Sequence, residues 1–129
     1  MTDPSPTVYE QIGAEGLTCV VAAFYRRVAT HPILRPMYPE GDLGPAERRL
    51  RLFLIQLFGG PTTYSEERGH PRLRLRHSPF TITQAARDVW VRHMLAALDE
   101  CAVPEPARGA MRAYFERTAT AMINRYEVE

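Results

Sequence analysis

Apolar residues recur at helical spacing in four separate stretches of this chain, and no two alternating runs exist that could pair as strands. In the first stretch Leu17, Val20, Val21, Phe24, Tyr25 and Val28 form one stripe at i, i+3, i+4, i+7 spacing, stopping at His31-Pro32. In the second, Ala46, Leu50, Phe53, Leu54, Leu57 and Phe58 share a face; Pro45 suits a first helical turn and Gly59-Gly60-Pro61 is a strong stop. The third carries Ala86, Val89, Trp90, His93, Met94, Ala97 and Leu98, with Thr81 and Gln84 at capping-box spacing just ahead. The fourth opens at Pro104-Glu105-Pro106 and presents Ala107, Met111, Tyr114, Phe115, Thr118 and Met122 on one side.

One run competes. Arg72-Leu73-Arg74-Leu75-Arg76 alternates with the period of a strand. It has no partner, and an isolated strand leaves its backbone groups unsatisfied. Residues 61–80 therefore read as a loop with short helical turns, and a long loop inside a small domain is usually functional. The expectation is an all-α fold of two helix pairs with a functional loop between them. Residues 1–7 read as a flexible N-terminal tail and 8–129 as a single domain, large enough to bury roughly two-thirds of its unfolded surface.

Sixteen basic and fifteen acidic residues leave a net charge of +1, so the whole molecule has no electrostatic bias toward nucleic acid or membrane. No nucleic-acid motif accompanies the arginines of the loop. The N-terminus lacks the basic start and apolar run of a signal peptide, and no apolar run approaches the length of a membrane span. Cys19 and Cys101 lie far apart without C-x-x-C spacing, which points to free thiols in a reducing compartment and a cytoplasmic location.

The loop carries the chemistry. Gly69 to Phe80 includes His77 behind Arg72, Arg74 and Arg76, and Trp90 follows thirteen residues later on an apolar helix. A neutral imidazole at a helix–loop corner is a ligand for haem iron, and phenol and indole groups can donate hydrogen bonds to a gas on the other side. On these residues alone His77 reads equally as a ligand or as the end of a helical turn. His31 and His70 precede prolines in loops. His93, on the apolar stripe one turn after Trp90, is the rival ligand or a core histidine.

The succession Phe24-Tyr25, Met37-Tyr38-Pro39-Glu40, Glu47-Arg48-x-Leu50-Arg51-x-Phe53-Leu54, Gly59-Gly60-Pro61-x-x-Tyr64-Ser65, His70-Pro71-Arg72-Leu73-Arg74-x-Arg76-His77-x-Pro79-Phe80 and Arg87-Asp88-x-Trp90 resembles the truncated haemoglobins. Within them it resembles group II, distinguished by a distal tryptophan. The resemblance implies a two-on-two helical sandwich around haem b (iron protoporphyrin IX). It makes His77 the proximal iron ligand and Tyr25, Tyr38 and Trp90 the polar distal cluster. Ala46 falls where many globins carry a polar gate residue, with apolar Leu50 one turn later, so the entry would be open. Phe53, Leu54, Phe80, Ile82, Met94 and Met122 would form the haem wall. Arg76, with Arg72 next, would meet the haem propionates. Leu57-Phe58 departs from the aromatic pair that often precedes the Gly-Gly break.

By this resemblance the chain would bind dioxygen and other diatomic gases, such as nitric oxide and carbon monoxide, reversibly. Two further readings stand beside it. One is nitric oxide dioxygenation or peroxidase-like oxidation on the same scaffold, which needs an external reductase. The other is a haem-free helical interaction module. Family members are often dimers, and no residue here decides for or against a homodimer.

Overall fold

Thr7 starts the first helix. Its Oγ accepts from the Glu10 backbone N–H at 3.0 Å, and the Glu10 carboxylate accepts from the Thr7 N–H at 3.1 Å. The computed structural model describes residues 6–125. Most of the tail expected over 1–7 thus lies outside the described residues, while Thr7 itself is the N-cap of α1, Val8–Val28. Within α1 the backbone departs from helical geometry at Gly13, where φ is +67°.

The remaining helices are α2 (Gly44–Leu57), α3 (Thr63–Arg68), α4 (Leu73–His77), α5 (Gln84–Glu100) and α6 (Ala107–Met122), with a single 3₁₀ turn at Arg35–Met37. No strand occurs among the described residues. The alternating run around Leu73 and Leu75 is helical α4, so residues 61–80 are loop with short helical turns, as expected. One cap is corrected: Thr83, and not Thr81, caps α5, its Oγ1 accepting from the Ala86 N–H at 3.1 Å. Gln84 is the first helical residue, so the preceding position holds the cap.

Helix α1 packs against both α2 and α5, α5 packs against α6, and α3 and α4 lie against α2 and α6 respectively. The two pairs, α1 with α2 and α5 with α6, meet through α1 and α5. The predicted stripes form the core. Leu17, Val20, Val21, Phe24 and Val28 of α1 meet Leu54 of α2, Met94 and Leu98 of α5, and Met111 and Phe115 of α6 in one buried cluster. Leu57 departs from its stripe; as the last residue of α2 it is 39% exposed.

The Gly59-Gly60 break has a second use. Gly59 sits at φ +107°, and a Cβ on Gly60 would stand 2.7 Å from the Tyr9 ring and 2.8 Å from Ile55. This bare backbone lets the Tyr9 N–H reach the Phe58 carbonyl at 2.9 Å, tying the start of α1 to the end of α2.

Contrary to the free-thiol expectation, Cys19 and Cys101 form a disulfide, their Cα atoms 6.1 Å apart. Cys19 lies in α1 and Cys101 is the C-cap of α5, so packing of the two helices joins residues 82 apart in sequence. The reducing-compartment reading rested on free thiols and loses that support.

Two substitutions test this frame. Cys101→Ser should lower unfolding free energy by about 2–4 kcal/mol, because a long loop is no longer closed in the unfolded chain. Reductant should reproduce that loss in the parent protein and change nothing in the variant, as read by denaturant titration. Gly60→Ala should cost about 1–3 kcal/mol by overpacking against Tyr9 and Ile55.

Candidate functional site

A cavity of about 580 Å³ opens between α2, α3, α4, α5, α6 and the segment 34–40. Its volume falls within the range of small-molecule and cofactor sites. Most of the wall is apolar, with Leu50, Phe53, Phe80, Ile82, Phe115 and Met122 prominent.

His77 lines this cavity from the last turn of α4. Its Nδ1 lies 2.7 Å from the Leu73 carbonyl oxygen one turn earlier. A carbonyl can only accept, so Nδ1 carries the proton and Nε2 keeps a free lone pair. A five-residue helix has little stability of its own. The corner after it is held from the far end of the chain, by Asn124 just past α6. The Asn124 amide donates to the Phe80 carbonyl at 2.8 Å and to the His77 carbonyl at 3.4 Å. Its Oδ1 accepts from the Ile82 N–H at 2.8 Å, and the Ile82 carbonyl accepts from the N–H groups of Asn124 and Arg125. No sequence signal singled out Asn124, because its partners are more than forty residues away.

Tyr38 and Trp90 also line the cavity. Tyr25 does not; it is buried behind Tyr38, their rings edge-to-face with centroids 5.5 Å apart. Phe24 supports both sides, 5.3 Å from the Tyr25 ring and 5.3 Å from Trp90, and Phe115 stands 5.8 Å from Trp90. Burial pushes the Tyr25 hydroxyl well above the usual phenol range, and the nearby Tyr38 raises it further. Burial also raises Tyr38, although the Tyr25 hydroxyl and the Trp90 indole oppose the rise by hydrogen bonding. Both phenols therefore keep their protons at neutral pH and remain donors.

Of the other residues singled out in the sequence, Leu50, Phe53, Phe80, Ile82 and Arg76 line the cavity. Ala46 and Met94 are buried in the core behind it. Arg72 is exposed, in left-handed conformation (φ +46°) at the start of α4, and is outside the wall. Arg76 lines the cavity while its Nε and Nη2 donate to the carbonyls of Pro71 and Arg68, at 2.7 and 3.1 Å. His93 is not in the wall; its ring meets that of His31 instead.

Several wall residues were not anticipated. Arg68 lies 6.0 Å over the Tyr64 ring, and both line the cavity. Arg49 does too, held by Glu40 at 2.9 Å. Arg87 enters the wall from α5, its guanidinium donating to Thr120 Oγ1 and the Glu116 carbonyl at 3.1 Å. Arg68 belongs to the same basic run as Arg72 and Arg76, so its presence was legible as a cluster. Which member turns inward depends on α3.

These residues fit a haem. In its neutral form the histidine presents one unprotonated nitrogen, most of the walls are apolar, and Arg49, Arg68 and Arg76 put cations in the wall that can pair with carboxylates. Phenol and indole donors sit in the same cavity.

The comparisons with known proteins agree. Residues 7–124 match the sequence model of the bacterial-like globin family. The group 2 truncated haemoglobin of Bacillus subtilis is 44% identical over 121 residues, covering 94% of this chain and 91% of that protein. A haemoglobin structure from Chloroflexus aurantiacus superposes with a TM-score of 0.90 at 56% identity, covering 94% of this chain and all of that one. The structure of a truncated oxygen-avid haemoglobin from Bacillus subtilis gives a TM-score of 0.87 at 43% identity, covering 92% and 99% of the two chains. Haemoglobin relatives imply a haem cofactor and diatomic gas ligands. No described helix is long and apolar enough to cross a membrane. On sequence and on fold, this chain belongs to the bacterial-like globin family, as a group 2 truncated haemoglobin.

Proposed function

We propose that the protein binds dioxygen and other diatomic gases reversibly at a haem held by His77. The observation that carries this reading is the 2.7 Å contact from His77 Nδ1 to the Leu73 carbonyl in the cavity wall, which leaves Nε2 of the neutral ring open to a ligand. When bound, haem b supplies an iron with an open position for a small gas. The protein's part is to hold and orient. The Asn124 contacts fix the backbone from His77 to Ile82, so the imidazole reaches the cavity from a set position. Arg76 has donors beyond those spent on the Pro71 and Arg68 carbonyls, and with Arg68 it receives the propionates. Arg72, which points elsewhere, is left out of that role.

On the opposite side Tyr38 and Trp90 are the donors in the cavity. Tyr25, one layer back, orients the Tyr38 hydroxyl. These donors would hold a gas that carries partial negative charge more tightly than a neutral one, since a hydrogen bond to a charged group contributes about 1.5–3 kcal/mol, against about 1 for a neutral one. Two such donors favour dioxygen over carbon monoxide and slow its release, in line with the oxygen avidity of the Bacillus subtilis relative.

The purified protein should take up haem one to one and show a Soret band that His77→Ala abolishes while the far-ultraviolet circular dichroism stays helical. A Soret band indifferent to His77 would sink the ligand assignment, and no haem uptake by the parent protein would favour the haem-free module. Tyr38→Phe and Trp90→Phe should each speed dioxygen release roughly ten- to a hundredfold, at 1.4 kcal/mol per decade, with a much smaller effect on carbon monoxide. Stopped-flow displacement of each gas measures both.

A further inference from the structure

The segment that brings Leu34 and Tyr38 to the cavity leaves α1 through a turn built on a neutral histidine. His31 Nδ1 accepts from the backbone N–H of Ile33 at 3.1 Å and of Leu34 at 3.4 Å. A ring nitrogen that accepts has no proton, so the imidazole is neutral with its hydrogen on Nε2. The His31 carbonyl accepts from the Arg35 N–H at 2.9 Å. The Arg35 guanidinium in turn donates to the carbonyls of Tyr38, Glu40 and Gly41 at 2.8, 2.9 and 3.2 Å. Residues 31–41 thus form one hydrogen-bonded arm, with Leu34 only 1% exposed at its base.

The His31 ring stands edge-to-face against His93 of α5, centroids 4.7 Å apart. His93 Nδ1 is buried and has no hydrogen-bond partner. The charged groups facing the pair are Arg27 of α1 and Arg92 of α5, with Glu100 beyond, 3.8 Å from Arg27. No carboxylate pairs with either imidazole among the described residues. The surroundings are therefore hostile to a proton on His93.

We propose that His31 and His93 form a proton-operated latch on the gas site: proton uptake by the pair opens the 31–34 turn, draws Leu34 and Tyr38 out of the cavity wall, and speeds release of the bound gas. A proton on His31 Nδ1 places an N–H against two N–H donors, so the turn cannot stay closed around it. A proton on His93 sets a cation beside His31, Arg27 and Arg92, and movement of the His31 turn away from α5 relieves it. Burial first, then His31, Arg27 and Arg92, hold the His93 imidazole below the usual histidine range. The neutral ring is thus the form the closed state prefers. Its contribution is complete above the ordinary histidine pKa of about 6.5 and is lost as pH falls through the depressed value.

The latch rests on the haem reading above, and the test separates the two. Dioxygen release from the ferrous holoprotein is timed by displacement with carbon monoxide between pH 7.5 and 5.5, while the Soret band confirms that haem is retained. The wild type should release gas at least about fivefold faster at the acid end, the lower range of ordinary site-to-site coupling. His31→Asn places a non-titrating Oδ1 acceptor where Nδ1 stood; combined with His93→Gln, which removes the second titrating ring, it should flatten the profile without changing the rate at pH 7.5. A flat wild-type profile, or an acid limb that survives when both histidines are replaced, overturns the latch while leaving haem binding intact. Absence of a Soret band at any pH overturns the haem reading instead. Should the variant not fold, the ring Cε1–H resonances of His31 and His93 in the carbon monoxide form decide. A titration matching the acid limb of the release rate supports the latch, and rings that stay neutral through that limb refute it.

Discussion

Burial of one face of α1 against two partners at once is the constraint from which the rest of this structure follows. Leu17, Val20, Val21, Phe24 and Val28 are sealed between α2 on one side and α5 on the other. Fully burying such side chains contributes about 1.5–3 kcal/mol each. The same packing fixes the distance between α1 and α5, sets the Cys19–Cys101 disulfide, and brings Phe24 into edge contact with both Tyr25 and Trp90. The placement of Tyr38 and Trp90 in the cavity wall is therefore a consequence of the core. A change at Phe24 would act on that wall without lying in it.

The proximal side is built on a different economy. Helix α4 has five residues, too few for a stable helix in isolation, and it buries no residue fully. Its last turn holds His77 because hydrogen bonds converge there from elsewhere: the Leu73 carbonyl fixes the ring, and Asn124 fixes the backbone that follows. The two sides of the cavity thus draw on different forces, apolar packing for the donors and directional hydrogen bonds for the ligand.

Much of this could be read in advance where the physics is local. The stripe from Leu17 to Val28 is buried nearly residue for residue, since a 3.6-residue period leaves one face to hide. The His77 block and Trp90 were visible because spacing along the chain maps directly onto a corner and a helix face. The misses share a cause. Thr81 was taken for a cap when Thr83 serves, because helix ends depend on a register that composition does not supply. Arg72 and Arg76 look alike in the sequence, yet α3 and the left-handed start of α4 turn one outward and keep the other in the wall. Tyr25 and Tyr38 look equivalent too, and only the fold places one behind the other.

By itself the amino-acid order determined that this protein is all-α, where its four long helices lie, and that His77 stands at a helix–loop corner. Each of these depends on neighbours within a few turns. The tertiary structure alone decided that Cys19 meets Cys101, that Asn124 anchors the His77 corner, and that His31 and His93 meet edge-to-face. Those contacts join residues 42 to 82 positions apart. No periodicity encodes them, because they arise only after the helices have packed and brought distant surfaces within hydrogen-bonding reach.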